Sequence, residues 1–279
     1  MSMFEFLEPA FMQRALLAAF VVGLCAPLVG IFLVQRRLSL MGDGLGHIAL
    51  TGVALGFLLQ TNPVLTAVIV ASIGAIVVEL IRSYGKTSGD VALAVLFYGG
   101  IAGGVLLIGL SAKQSNVNLL SYLFGSLTTV SRSDILIILS LAVIVFFATL
   151  ALRKSLFALC HDSEFAQVSG IPTKALSIFL AVLTAVTVTI AMRVVGLLLV
   201  SALMIIPVAS AQQIGKSFSG TRILASVIGA LTASAGVISS FYLDLAPGAL
   251  IVVLVISVFV ITISATALNS RVKLSKQIS

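Results

Sequence analysis

Hydrophobic residues in this chain fall in long unbroken runs, neither the strict alternation of a half-buried strand nor the narrow stripe of a surface helix. Nine such runs lie at about residues 11 to 34, 40 to 59, 63 to 81, 91 to 110, 133 to 152, 175 to 192, 194 to 214, 223 to 243 and 248 to 268. Each approaches the roughly 20 residues that a helix needs to cross about 30 Å of hydrocarbon. The pattern predicts an all-α fold, a polytopic transmembrane helical bundle of eight or nine spans, in a single transmembrane domain over residues 1–279. The count turns on the short connection near Arg193. If the segments flanking it do not cross separately, eight spans result and the termini share a side. The apolar stretch 117 to 130 is too short to cross and reads as a re-entrant or interfacial helix.

Composition agrees, with 60% hydrophobic and 9% charged residues, against about 25% charged in an ordinary soluble domain. The net charge of +7 would point to nucleic acid in a soluble protein. Here the basic residues lie in short loops, so they are topology signals, lipid is the surrounding partner, and no nucleic-acid partner is expected. With the N-terminus outside, Arg36, Arg37, Arg82, Lys86, Arg153, Lys154, Lys174, Lys216, Arg222, Arg271, Lys273 and Lys276 fall inside. Arg14, Lys113, Arg132 and Arg193 remain outside, and twelve against four fixes the orientation. Acids precede the first apolar run, so it does not read as a cleaved signal peptide. Cys25 and Cys160 lie far apart in an apolar run and a loop, which suggests neither a disulfide nor a thiolate metal site.

Small residues recur in the spans, with Gly99, Gly100, Gly103 and Gly104 in one of them, as close helix packing in lipid requires. Pro27 and Pro207 lie inside spans and are expected to kink or break their helices. The segment 194 to 213 combines Pro207 with Gly196, Ser201, Ala202, Ala209, Ser210 and Ala211. It reads as a flexible pore-lining helix, or as simple packing.

Asp43 and His47 stand four apart in the apolar stretch 39 to 55, so they project from one helix face. A carboxylate in a membrane faces a partner or a water-filled path. Together the two supply oxygen and nitrogen suited to Zn²⁺, Mn²⁺ or a similar ion. The plainer reading is an Asp–His hydrogen bond tying helices together. Gly42, Gly44 and Gly46 strip bulk from around the pair, as a close crossing or an ion path would need.

The segment 153 to 174 is the main polar interruption and falls on the cytoplasmic side. Asp162 is a candidate N-cap, Glu164 lies in the first turn, Gly170 closes a short helix and Pro172 stops it. Its face around Phe165, Ala166 and Val168 could dock into a soluble partner; an ordinary capped loop helix is the plainer alternative. His161 reads as a surface histidine. Glu79, Asp90, Asp134 and Asp244 fall near span ends and read as interfacial, and Arg193 as snorkelling to the outer surface. Gly85-Lys86-Thr87 and Gly215-Lys216-Ser217 end like a phosphate-binding loop, but Leu80 and Ser210 replace the required glycine. No nucleophile-and-base motif is present either. The chain reads as a non-enzyme, with energy coming from a separate subunit or an ion gradient.

Together, Asp43 to Leu55, Asp162 to Pro172 and Val195 to Ala209 resemble three ordered motifs of the permease subunits of bacterial zinc and manganese ABC importers. The resemblance spans essentially the whole chain. Departures are Gly46 where that family often has Ser, Thr51 where it often has Pro, and Val208 where Ala is usual. The resemblance implies that Asp43 and His47 line the route of a transported zinc or manganese ion, with no permanently bound cofactor. It also implies that Asp162 to Gly170, including Glu164, Phe165 and Ala166, couple to an ABC ATPase. Further implied partners are a second copy of the chain and an extracytoplasmic metal-binding protein, in the bacterial cytoplasmic membrane. The alternative, an ion-gradient-driven secondary transporter, would show several midmembrane ionisable residues and an inverted repeat. A membrane-embedded enzyme would need more ligands than two histidines provide.

Overall fold

The computed structural model describes residues 8–84, 89–111, 119–126 and 131–278, with side chains placed only as far as residue 268 in the C-terminal helix. Among them, helices long and apolar enough to cross a membrane are α1 (Ala10–Gln35), α2 (Met41–Leu58), α3 (Pro63–Tyr84), α4 (Gly89–Ser111) and α6 (Arg132–Ala151). The others are α9 (Thr173–Val195), α10 (Val200–Ile214) with the 3₁₀ turn before it, α11 (Phe218–Leu243) and α12 (Pro247–Ile278). Three short helices complete the chain: α5 (Leu119–Phe124), α7 (Arg153–His161) and α8 (Ser163–Val168). Of the short apolar stretch 117 to 130, the described part is α5; Lys86 and the loop around Lys113 lie outside the described residues.

Local sequence sets the starts of these helices. Pro63 occupies the first turn of α3, where a missing N–H is harmless, and Asn62 Oδ1 accepts from Val64 and Leu65 N–H at 3.0 and 3.3 Å. Ser131 and Asp134 form a reciprocal capping box on α6. Ser217 Oγ accepts from Gly220 N–H at 3.1 Å to open α11.

The helices α1 and α9 are the most enclosed spans. α1 packs on α6, α9, α10 and α11; α10 packs on α1, α11 and α12; α2 packs chiefly on α3, α4 and α9. Large apolar side chains such as Ile69, Val95, Leu106, Leu136, Ile144 and Ile261 point outward, the perimeter expected of a lipid-facing bundle. Buried hydroxyls on Thr184, Thr187 and Thr189 turn back onto carbonyls four residues earlier at 2.7 to 2.8 Å, so they need no partner from lipid.

Two ends of the bundle can be told apart. Gln35, Cys160, His161, Gln212 and Ser217 line one cavity, while Phe11, Gly125, Asp244 and Pro247 line another at the opposite end. The backbone around Val194 and Val195 meets Gly125 and Gly248 at that second end, whereas α10 finishes beside Gln212 at the first. Thus α9 and α10 cross separately, and the span count is nine among the described residues. The device that permits this is Gly196, whose φ of +87° and ψ of 152° suit glycine alone and break the helix between them.

Several side chains depart from the sequence reading. Pro27 and Pro207 are buried and do not break their helices, which continue through them, and a break falls at Gly196. Arg193 does not snorkel. Its side chain is only 10% exposed, ion-paired with Asp134, and lies over the Tyr122 ring, 4.9 Å from its centroid. Asp134 and Glu79 lie near the ends of α6 and α3, as their positions in the sequence suggested, and both are buried by neighbouring helices. Glu79 is held by Arg82 in two hydrogen bonds of 2.9 and 2.6 Å. A charge removed from water needs such pairing, because an isolated one would cost several kcal/mol.

Candidate ion path and docking helix

The first turns of α2 are packed from three directions at once. A Cβ on Gly42 would meet Ser201 Oγ of α10 at 3.0 Å, one on Gly44 would meet Leu96 of α4 at 3.1 Å, and one on Gly46 would meet Leu197 at 2.8 Å. The three glycines therefore serve close helix crossings. On α4, a Cβ on Gly100 would meet the His47 and Ile48 backbone at 2.7 Å, and Gly103 and Gly104 face Thr51 and Leu50, while Gly99 faces open space. Thr51 Oγ1 donates to Gly100 O at 2.8 Å and locks the α2–α4 register.

Within this packed segment Met41, Gly42, Gly44, Leu45 and Gly46 are buried, whereas Asp43 and His47 are half-buried. Their face continues through Thr51 and Leu55, also half-buried, at four-residue intervals. Asp43 lies in the first turn, where the positive end of the helix favours a carboxylate. His47 packs edge-on against Phe97, with centroids 4.5 Å apart. Its Nδ1 is buried and has no hydrogen-bond partner. Among the described residues Asp43 and His47 make no hydrogen bond to each other, so the tie that the plainer reading required is not formed. Nor do three or more His, Cys, Asp or Glu residues converge in one copy among the described residues.

Pro207 is buried in α10, the helix that also presents Ser201 to Gly42 and the Met204 carbonyl to Gly30. Ser201 Oγ is buried without a partner. The structure thus brings α10 against α2, but it sets Pro207 further along that helix.

The polar interruption contains two helices where the sequence suggested one. α7 buries Leu156 and Leu159 against the bundle and leaves His161 exposed, stacked on Phe157 at 5.8 Å. Asp162 Oδ1 caps α8, accepting from Glu164 N–H at 3.0 Å and Phe165 N–H at 2.9 Å. At its other end Ile171 N–H donates to Ala166 O at 3.0 Å and Gly170 N–H to Gln167 O at 3.1 Å, closing a Schellman motif with Gly170 at φ +81°. Ala166 is fully buried and is the one residue of α8 withdrawn from the surface, which leaves Glu164, Phe165 and Val168 among the exposed positions. Phe165 at 68% and Val168 at 88% exposure are apolar side chains that no described residue covers. Burial pushes the Cys160 thiol up to about 11, so at neutral pH it is neither a thiolate ligand nor a nucleophile; Cys25 is also a free, buried cysteine.

Residues 8–266 match the family described as ABC 3 transport family. This chain belongs to that family. The family member is 34% identical over 262 residues to the high-affinity zinc uptake system membrane protein ZnuB of Haemophilus influenzae, covering 94% of this chain and 98% of ZnuB. It is 33% identical over 242 residues to the manganese import system permease protein ScaB of Streptococcus parasanguinis, with 87% and 86% covered. A solved structure of PsaBC from Streptococcus pneumoniae in complex with Fab superposes with a TM-score of 0.83 at 30% identity, covering 92% of each chain. Membership and nine apolar helices make the chain a multi-pass permease of the bacterial cytoplasmic membrane.

The buried Asp134–Arg193–Tyr122 cluster escaped the sequence reading. Its members lie on α6, α9 and α5, and no local pattern joins positions 59 residues apart.

Proposed function

We propose that this permease carries divalent transition-metal ions, zinc or manganese, into the cytoplasm, with Asp43 and His47 lining the route. The observation that carries the reading is the half-buried Asp–His face with an unpartnered buried Nδ1, on a helix segment otherwise sealed by packing. The zinc and manganese named for the relatives agree with an oxygen and a nitrogen donor.

Two donors from one copy make an incomplete site. Two copies around a two-fold axis, the commonest symmetry of such pairs, would bring two carboxylates and two imidazoles to one path. Four mixed donors suit a transient zinc site, or a manganese site completed by water. Conduction also requires that the site release its ion, so contact without trapping is expected. The exposed Glu164, Phe165 and Val168 face of α8 would dock a separate ABC ATPase, and an extracytoplasmic metal-binding protein would deliver the ion. The absence of a phosphate-cradling sequence supports placing ATP hydrolysis outside this chain.

The test is uptake of radioactive zinc and manganese by cells carrying Asp43→Ala or His47→Ala. Each variant is expected to abolish uptake while its membrane level and dimer cross-linking match wild type. Normal transport by both variants would overturn the assignment.

A further inference from the structure

On the side of the bundle away from α2, the helices α1, α6 and α11 enclose a groove of about 400 Å³. Gly23 of α1 and Gly229 of α11 bring the two backbones into direct contact at its floor. The walls are apolar and open to the exterior, with Phe20 46%, Phe146 40%, Ile223 61% and Val227 47% exposed. From Arg222 to Leu231 the groove follows α11 for nine residues, about 13 Å of rise. That length matches the upper part of an acyl chain.

Arg222 also lines a second hollow of about 390 Å³ at the end of the bundle that carries α7 and α8. There it meets Arg153, Lys154, Ser217 and Ser219. Arg153 and Arg222 are close enough to repel each other. Among the described residues none of the three cations is paired with a carboxylate. Three uncompensated cations at the mouth of an apolar groove call for an anion that carries hydrocarbon.

A further polar atom lies on the route between the two hollows. Ser226 is buried to 7% exposure, lines the groove and has a hydroxyl with no partner. Buried hydroxyls such as Ser210 and Thr232 turn back onto a helix carbonyl, whereas Ser226, like Ser201 on the α2 side, does not. Ser226 follows Arg222 by four residues, so it shares its face about 6 Å deeper. That is the order of separation between the phosphate and an ester oxygen of a glycerophospholipid.

We infer that this groove binds one anionic phospholipid of the inner leaflet. The phosphate is held by Arg153, Lys154 and Arg222, an ester oxygen meets Ser226, and an acyl chain lies along Ile223 and Val227. The basic-residue count places this end in the cytoplasm, where anionic lipids attract juxtamembrane cations at about 1 kcal/mol each, or roughly fivefold in affinity. The inference is independent of which ion is carried.

The test is native mass spectrometry of the full chain in detergent, titrated with dioleoyl phosphatidylglycerol, with dioleoyl phosphatidylcholine of equal chain length, and with glycerol 3-phosphate. Phosphatidylglycerol is expected to bind at least tenfold more tightly than phosphatidylcholine, and glycerol 3-phosphate to show no saturable binding. Lys154→Ala and Arg222→Ala should each weaken phosphatidylglycerol about fivefold. Val227→Trp, which fills the groove without touching charge, should weaken it at least as much. Equal binding of the two lipids overturns the inference, as does indifference to both Lys154→Ala and Val227→Trp, which alter exposed positions and leave the core intact. Tight glycerol 3-phosphate binding unaffected by Val227→Trp would also overturn it, because the site would then be a plain phosphate site.

Discussion

At Arg193 the protein buries a guanidinium between Asp134 and the face of Tyr122, within the hydrocarbon-spanning part of its sequence. Removing one partner of such a pair leaves the other charge buried and alone, which is strongly destabilising. Arg193→Ala is therefore expected to lower stability by about 3–5 kcal/mol. Arg193→Met combined with Asp134→Asn should recover most of the loss, because neither remaining group is charged. Unfolding in mixed micelles followed by circular dichroism measures both, and equal losses in the single and double variants would show that pairing is not the cause. Cys160 allows a gentler test. Burial raises its pKa to about 11, so its alkylation by a maleimide should be slow at pH 7 and climb about tenfold per pH unit toward that value. A plateau reached by pH 9 would mean that the thiol is not buried in this way.

Among elements, two glycines with positive φ separate strain from collision. Gly170 ends α8 at φ +81° with nothing within 4 Å of a Cβ, so Gly170→Ala carries only left-handed strain, about 1–2 kcal/mol. Gly196 adopts φ +87°, and a Cβ there would strike Gly125 N at 2.5 Å, with the Phe124 carbonyl carbon closer still. Gly196→Ala must separate α5 from the α9–α10 break, and it is expected to lose far more stability than Gly170→Ala in the same unfolding experiment. Equal losses would contradict the packing at that junction. On α8 itself, Glu164→Arg and Phe165→Asp change side chains that touch little of their own chain. Both variants should insert normally yet lose association with the proposed ATPase partner and metal uptake together, read by co-purification and transport. Unchanged assembly in both would make α8 an ordinary loop helix.

For the whole molecule, nine crossings and the basic residues predict that a reporter fused after Lys273 is cytoplasmic. A reporter inserted between Lys113 and Ser115 should be external, and the reverse labelling would move the proposed docking face of α8 to the wrong side of the membrane. Much of this architecture was legible beforehand. Unbroken apolar runs can be satisfied in lipid only by helices, so the sequence alone determined the spans and the Asp43–His47 face, since four-residue spacing is a property of any helix, and its basic residues supply the orientation that the reporters test. The cap of α8 was legible for the same reason, because Asp162 and Gly170 act on backbone within a few residues. What joins distant segments was decided by tertiary structure. Lipid gives no hydrophobic drive that a linear pattern would record, so which small residue meets which backbone depends on three-dimensional fit. Gly42, Gly44 and Gly46 read together as clearing bulk from around the Asp–His pair, but each packs against a separate neighbour. Ala166 reads as part of an exposed face but points inward. Arg193 reads as an outward cation, and only the fold brings Asp134 close enough to keep it buried.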